Sequence, residues 1–173
     1  MYQIQILEVN PLDGRYEEIN FGKTNDLLWV LFTNTTTGTE WVGKFDFGDR
    51  YLSRIFNLGE ATAIILSKGK VYIVNIIKRE IEYTFEFDDW EELMIDNELS
   101  LIILTDGIKL YIHNEKGELI HSTKRFSLDG YIFNVIENGI LFGKLNNMTD
   151  EWSDFEYNLI TNELESTWSF DQS

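Results

Sequence analysis

Two short segments hold an aromatic residue inside a run of acids: Phe87-Asp88-Asp89-Trp90-Glu91-Glu92 and Asp150-Glu151-Trp152-Ser153-Asp154-Phe155-Glu156. Carboxylates can ligate a metal, trade protons as a pair, or meet the cations of a partner, and spacing decides among these. Calcium loops need oxygen ligands at alternate positions, often Asp-x-Asp-x-Asp-Gly. Neither Asp88-Asp89 nor Asp150-Glu151 has that spacing. A hydrolytic pair needs two carboxyls roughly 5 to 9.5 Å apart across a cleft, and charge-dense strings resemble solvated faces more than one buried acid. Recognition remains. Trp anchors interfaces, surrounding charges supply steering and register, and an indole stacks on Arg or Lys. The candidate partner-binding residues are therefore Asp88, Asp89, Trp90, Glu91, Glu92, Asp150, Glu151, Trp152, Asp154 and Glu156. For Trp90 a core position on a strand competes with this reading. Trp152, in a long polar hairpin, reads as interface.

Other chemistry is thinly represented. The two histidines, His113 and His121, lie on alternating strands of one repeat, with no His-x-His or His-Glu-x-x-His spacing to suggest a metal. They read as structural or surface residues. There is no cysteine, so thiolate ligands, disulfides and a cysteine nucleophile are excluded. Glycine-rich phosphate loops, the Walker lysine pattern and the nucleophile elbow are absent. No catalytic residue, metal site or cofactor is expected, and the chain does not read as an enzyme.

The acids are also unevenly placed. The formal charge is −16, yet residues 80–108 hold ten acids and no Lys or Arg, and residues 145–173 hold seven acids and again no base. The remaining residues carry +1 in total. Such a local field repels nucleic acid and anionic membrane, which require Lys and Arg, and steers a basic protein inward. Solubility alone is the plainer account of the same acids.

The elements that must position these residues come from internal repetition. Ile64-Ile65-Leu66-Ser67-Lys68-Gly69 matches Ile102-Ile103-Leu104-Thr105-Asp106-Gly107, and each precedes a second strand, Val71 to Asn75 or Leu110 to Asn114. A polar turn follows, then Glu80-Ile81-Glu82-Tyr83-Thr84 or Glu118-Leu119-Ile120-His121-Ser122. A third copy begins at Ile140-Leu141-Phe142-Gly143, passes a longer hairpin around Asn146-Asn147-Met148-Thr149, and resumes at Asn158 to Glu165. A degenerate copy runs from Leu28 through Trp41 to Phe45. Repeat cores thus begin near 28, 64, 102 and 140, about 38 residues apart. Alternation of Ile81, Tyr83, Phe85 and Phe87 with Glu80, Glu82, Thr84 and Glu86 predicts an outer strand with one apolar side. Trp90 to Ile95 could make one helical turn, but its place in the repeat suits an inner strand. Residues 1–25 supply N-terminal capping strands at 2–9 and 16–21 that close or cap the array.

A strand ending Tyr-x-x-Asn, a tight turn, then Glu-Leu or Glu-Ile resembles the outer hairpin of a β-propeller blade, as in quinoprotein-type and Trp-Asp-repeat propellers. The likeness covers about residues 26–170. It implies an all-β protein of four β-meander repeats, propeller-like or an incomplete propeller, since four is the lower limit for a ring. A two-sheet β-sandwich is the alternative. With one proline and ordinary domain length, residues 1–173 are expected to be a single domain. The polar-apolar alternation at Met1 to Glu8 reads as a strand and not a signal peptide, which together with the missing cysteines points to the cytoplasm. In type, the chain resembles the small acidic immunity proteins of bacterial toxin systems. The expected function is non-catalytic binding of a basic protein, a toxin such as a nuclease, by a monomer. The alternatives are a propeller-like scaffold reading a peptide or sugar, and a carboxylate-based hydrolase.

Overall fold

The computed structural model describes residues 1–11, 14–124, 127, 130–146 and 151–167. Among these residues every regular element is a strand and none is a helix, so no helix is available to cross a membrane. The chain divides into two compact units, Met1–Asp89 and Trp90–Ser173, and each unit holds two four-stranded sheets. Four separate sheets replace the two large faces a sandwich would need.

In the first unit, β1 (Tyr2–Ile6), β2 (Glu17–Asn20), β3 (Leu27–Asn34) and β4 (Glu40–Asp46) form one sheet in the order β1-β3-β4-β2. The N-terminal strands form both outer positions of this sheet. β1 lies antiparallel to β3, while β2 runs parallel to β4 in the register Glu17 to Trp41. The Asp46 carboxylate anchors the chain just beyond this parallel edge. It accepts the backbone N–H groups of Lys23 (2.8 Å) and Thr24 (3.0 Å) and the Thr24 hydroxyl (2.9 Å), which pins the loop leaving β2. Burial pushes this carboxyl's pKa up, but those bonds outweigh it and the net shift is downward.

The second sheet is the meander β5 (Ser53–Leu58), β6 (Thr62–Ser67), β7 (Lys70–Asn75) and β8 (Glu80–Thr84). Its turn at Lys68-Gly69 has both residues at positive φ (48° and 103°), the two-residue hairpin whose twist suits antiparallel strands. Val30, Phe32, Trp41 and Phe45 of the first sheet share a core with Ala63, Ile65, Tyr72 and Val74 of the second. Phe32 stacks on Trp41 at a centroid distance of 4.0 Å. Ile64, Ile65 and Leu66 are all fully buried, so this strand is covered on both faces and has no reason to alternate.

The second unit repeats the plan with β9 (Glu92–Asp96), β10 (Leu101–Thr105), β11 (Leu110–Asn114) and β12 (Leu119–Ser122), then β13 (Tyr131–Glu137), β14 (Ile140–Asn146), β15 (Trp152–Asn158) and β16 (Glu163–Ser166). Residues 92–95 are strand, not a helical turn. Each expected repeat start lies at or near the beginning of the second strand of a sheet: β3, β6, β10 and β14. The repeated Asn is explained by turn chemistry. Asn75 Oδ1 accepts the N–H groups of Ile77 (3.1 Å) and Lys78 (2.9 Å), and Asn158 does the same for Ile160 (2.9 Å) and Thr161 (3.0 Å). Asn114 holds Lys116 (2.9 Å) and Glu118 (3.0 Å).

One local expectation fails. β8 does not alternate throughout, because the register shifts between Ile73 and Val74: Val74 faces Ile81 while Ile73 faces Tyr83. The bulge leaves Glu82 unpaired and turns Tyr83 to solvent, after which Phe85 returns to the core.

Candidate functional site

The two acidic segments meet very different fates. Asp88 and Asp89 close the first unit. The Asp88 carbonyl accepts the Asp49 N–H (3.1 Å), and the Asp89 carboxylate pairs with the Arg50 guanidinium, Nη2 to Oδ2 at 3.0 Å. Trp90 and Glu92 lie in the core of the second unit. Trp90 stands edge-on to Tyr111 at 5.1 Å and to His113 at 6.2 Å. Glu92 Oε1 accepts the Leu93 N–H. These two side chains pack; they do not face outward. Burial pushes the His113 imidazole down to about 4, and burial with the Asp106 bond (2.8 Å) pushes the Tyr111 phenol up to about 12. Asp96 is buried as well and caps the turn at Glu98 and Leu99. The acidic string 80–108 is therefore no uniform solvated face.

Glu91 and Trp152 come together. Gly107, at φ +86°, has no side chain because the Glu91 carboxylate occupies that space: a Cβ there would lie 2.4 Å from Oε2. The same Oε2 and the Trp152 Cη2 both lie 3.6 Å from where a Gly130 Cβ would be. Two glycines thus seat the carboxylate next to the indole. Asp150 lies outside the described residues, as do the hairpin positions 147–149. Glu151 is exposed.

From Trp152 onward β15 alternates strictly. Phe155 and Tyr157 enter the core with Tyr131, Phe133, Leu141 and Leu145, and Trp152, Asp154 and Glu156 point outward in a row. Register extends the row into a face. Glu165 on β16 lies directly opposite Glu156, and Glu163 opposite Asn158. On the other side Phe142 lies opposite Glu156, and Lys144 opposite Asp154 with Nζ to Oδ1 at 4.0 Å. Continuing to β13 brings in Ile132, opposite Lys144, and Val135, opposite Phe142, each 41% exposed. Trp152 is 42% exposed.

The outward face of this sheet consequently sets Ile132, Val135 and Phe142, with Lys144 among them, along β13 and β14, and carboxylates along β15 and β16. Between the halves runs a groove of about 500 Å³ lined by Asn134, Phe142, Asp154, Glu156, Glu165 and Thr167. Like charges directly opposite on neighbouring strands are destabilising, so Glu156 and Glu165 contribute no stability by facing each other. The arrangement can seat a cationic side chain against an aromatic floor and apolar surface beside it. Ile132, Val135, Phe142 and Glu165 were not among the residues picked out by sequence. Their signal is the outward phase of each strand, readable only once the registers across β13 to β16 are known.

No protein-family model and no curated protein sequence matches the chain. Solved structures do. BamB from Moraxella catarrhalis superposes with a TM-score of 0.55 at 10% identity, over 84% of this chain and 50% of that one. Hsv2 from Kluyveromyces lactis gives 0.54 at 12% identity, over 84% and 46%, and Hsv2 from Kluyvelomyces marxianus gives 0.53 at 14%, over 80% and 46%. These are β-propeller proteins, and the likeness establishes the fold: all-β, built of propeller-like four-stranded blades. The chain spans about half the length of those chains.

Proposed function

We propose that this protein is a non-catalytic binding module whose acidic blade face, headed by Trp152, takes a basic protein. One observation carries the reading. Trp152, Asp154 and Glu156 project in a single row, with Glu165 opposed to Glu156 and Lys144 as the base beside them. A face that concentrates like charge at a cost to its own sheet is accounted for by a partner of opposite charge. Glu91, held beside Trp152, extends the negative potential past the end of β15.

The finer reading is an immunity-type inhibitor in the bacterial cytoplasm, neutralising a basic toxin such as a nuclease. Carboxylates spaced along a strand can occupy a surface built for phosphates, and a cysteine-free chain suits a reducing compartment. The groove supports a second reading, a scaffold that reads a peptide or sugar, because its volume lies within the range of small-ligand sites.

The test is capture of purified basic nuclease domains, including the product of any adjoining toxin gene, followed by salt titration. Binding should weaken steeply from about 0.05 M to 0.5 M salt as screening grows. It should also weaken in Glu156→Gln and Glu165→Gln. Affinity indifferent to both salt and these substitutions would sink the proposal, and saturable binding of a neutral peptide or glycan in the groove would favour the second reading.

A further inference from the structure

The outer strands of the four sheets are not alike. β2 carries Glu17 and Glu18, β8 carries Glu80 and Glu82, and β16 carries Glu163 and Glu165, whereas β12 reads Leu119-Ile120-His121-Ser122 with no charge. An outer strand offers unpaired backbone N–H and C=O groups, and charge along it is a common guard against pairing with another chain. β8 and β12 allow a direct comparison. In β8 the bulge leaves Glu82 unpaired between Ile81 and Tyr83. In β12 the bulge leaves Ile120 unpaired between Leu119 and His121. In sequence the third repeat has Glu165 at the corresponding position, although β16 has no bulge and Glu165 lies opposite Glu156. Ile120 therefore stands where two sibling blades put a glutamate, and it is 57% exposed beside Leu119 at 56%.

We propose that β12 is a self-association edge, through which two copies of this chain pair antiparallel about a twofold axis, Leu119 of one opposite Ile120 of the other. Charge decides the occupant. Copies carrying −16 each repel, but residues 115–124 contain Glu115, Lys116, Glu118 and Lys124 and balance to zero. Two copies can meet here without opposing like charge. In this register Glu118 of one copy lies opposite His121 of the second, and Lys124 runs past Glu115 of the second. The contact is isologous, so it closes at two copies. A single short strand pair is a small interface, and the dimer is weak.

Sedimentation equilibrium tests this without any other partner. At about 0.5 mM protein the chain should populate a dimer, and raising salt from about 0.05 M to 0.5 M should strengthen it by screening the repulsion between copies. Salt thus acts here with the opposite sign to binding of a basic protein, so the two associations fail separately. Ile120→Glu, which restores the residue of the sibling blades, should weaken the dimer by about tenfold or more while leaving the melting curve unchanged. Ile120→Lys should do the same. A monomer at the highest concentration and salt would overturn the proposal, as would an Ile120→Glu dimer as tight as the parent.

Discussion

Replacing Glu165 by Lys should make the protein more stable and a poorer binder at once. Glu156 and Glu165 are directly opposite on β15 and β16, a position at which Cβ atoms are about 5 Å apart. Two unit charges at roughly 5 Å in water repel by about 0.8 kcal/mol, which falls to about 0.4 kcal/mol at physiological salt. Glu165→Gln removes that repulsion, and Glu165→Lys converts it into attraction of similar size, a total of about 0.9 kcal/mol. For a chain of this length the melting temperature should rise by about 1 °C for Gln and about 2–3 °C for Lys. Thermal melts of the parent and both variants at low and high salt read this directly. At about 1 M salt the Debye length is near 3 Å and the differences should nearly vanish. A double-mutant cycle with Glu156→Gln should recover most of the gain as coupling between the two positions. If Glu165→Lys melts below Glu165→Gln at low salt, the carboxylates are not opposed and the sheet carries no concentrated acidic face there.

Three other outcomes follow from the same structure. Trp152→Ala should leave the melting temperature nearly unchanged, since the indole is partly exposed at a strand start, yet weaken capture of a basic partner by more than about 1 kcal/mol; a collapse in melting would make it a core residue. Ile103→Asp puts a charge among Leu110, Ile112 and Phe133 and should cost more than about 4 kcal/mol, leaving the second unit unfolded by circular dichroism. His113 has a folded pKa near 4, below its unfolded value near 6.5, so the unfolded chain binds the extra proton between those values. Its contribution is therefore complete above pH 6.5 and lost as pH falls towards 4, and His113→Leu should flatten that part of a stability-against-pH profile measured by denaturant unfolding.

Much of the molecule could be read directly from residue order, because its determinants are local. Asn75, Asn114 and Asn158 each bond to N–H groups two to four residues on. Their recurrence with a following glutamate therefore marks the hairpin without knowledge of the rest of the chain. The matching apolar triplets at 64–66 and 102–104 likewise marked the repeats, and the spacing of the second strands announced four blades. What residue order concealed was every property that depends on pairing between strands. β2 runs parallel to β4, and Asp46 reaches back to Lys23 and Thr24 to hold the loop that follows β2. A one-residue shift in register sent Tyr83 outward and left Ile120 without a partner opposite it on β11. The string Trp90-Glu91-Glu92 looked like one acidic surface, yet alternate sides of the chain take Trp90 and Glu92 inward while Gly107 and Gly130 hold Glu91 beside Trp152. Composition determined that this protein would be negative, and the repeated alternating segments that it would be made of strands. Which carboxylates stand together was decided only by cross-strand register, because side-chain direction reverses at each residue and neighbours on a sheet come from distant parts of the chain.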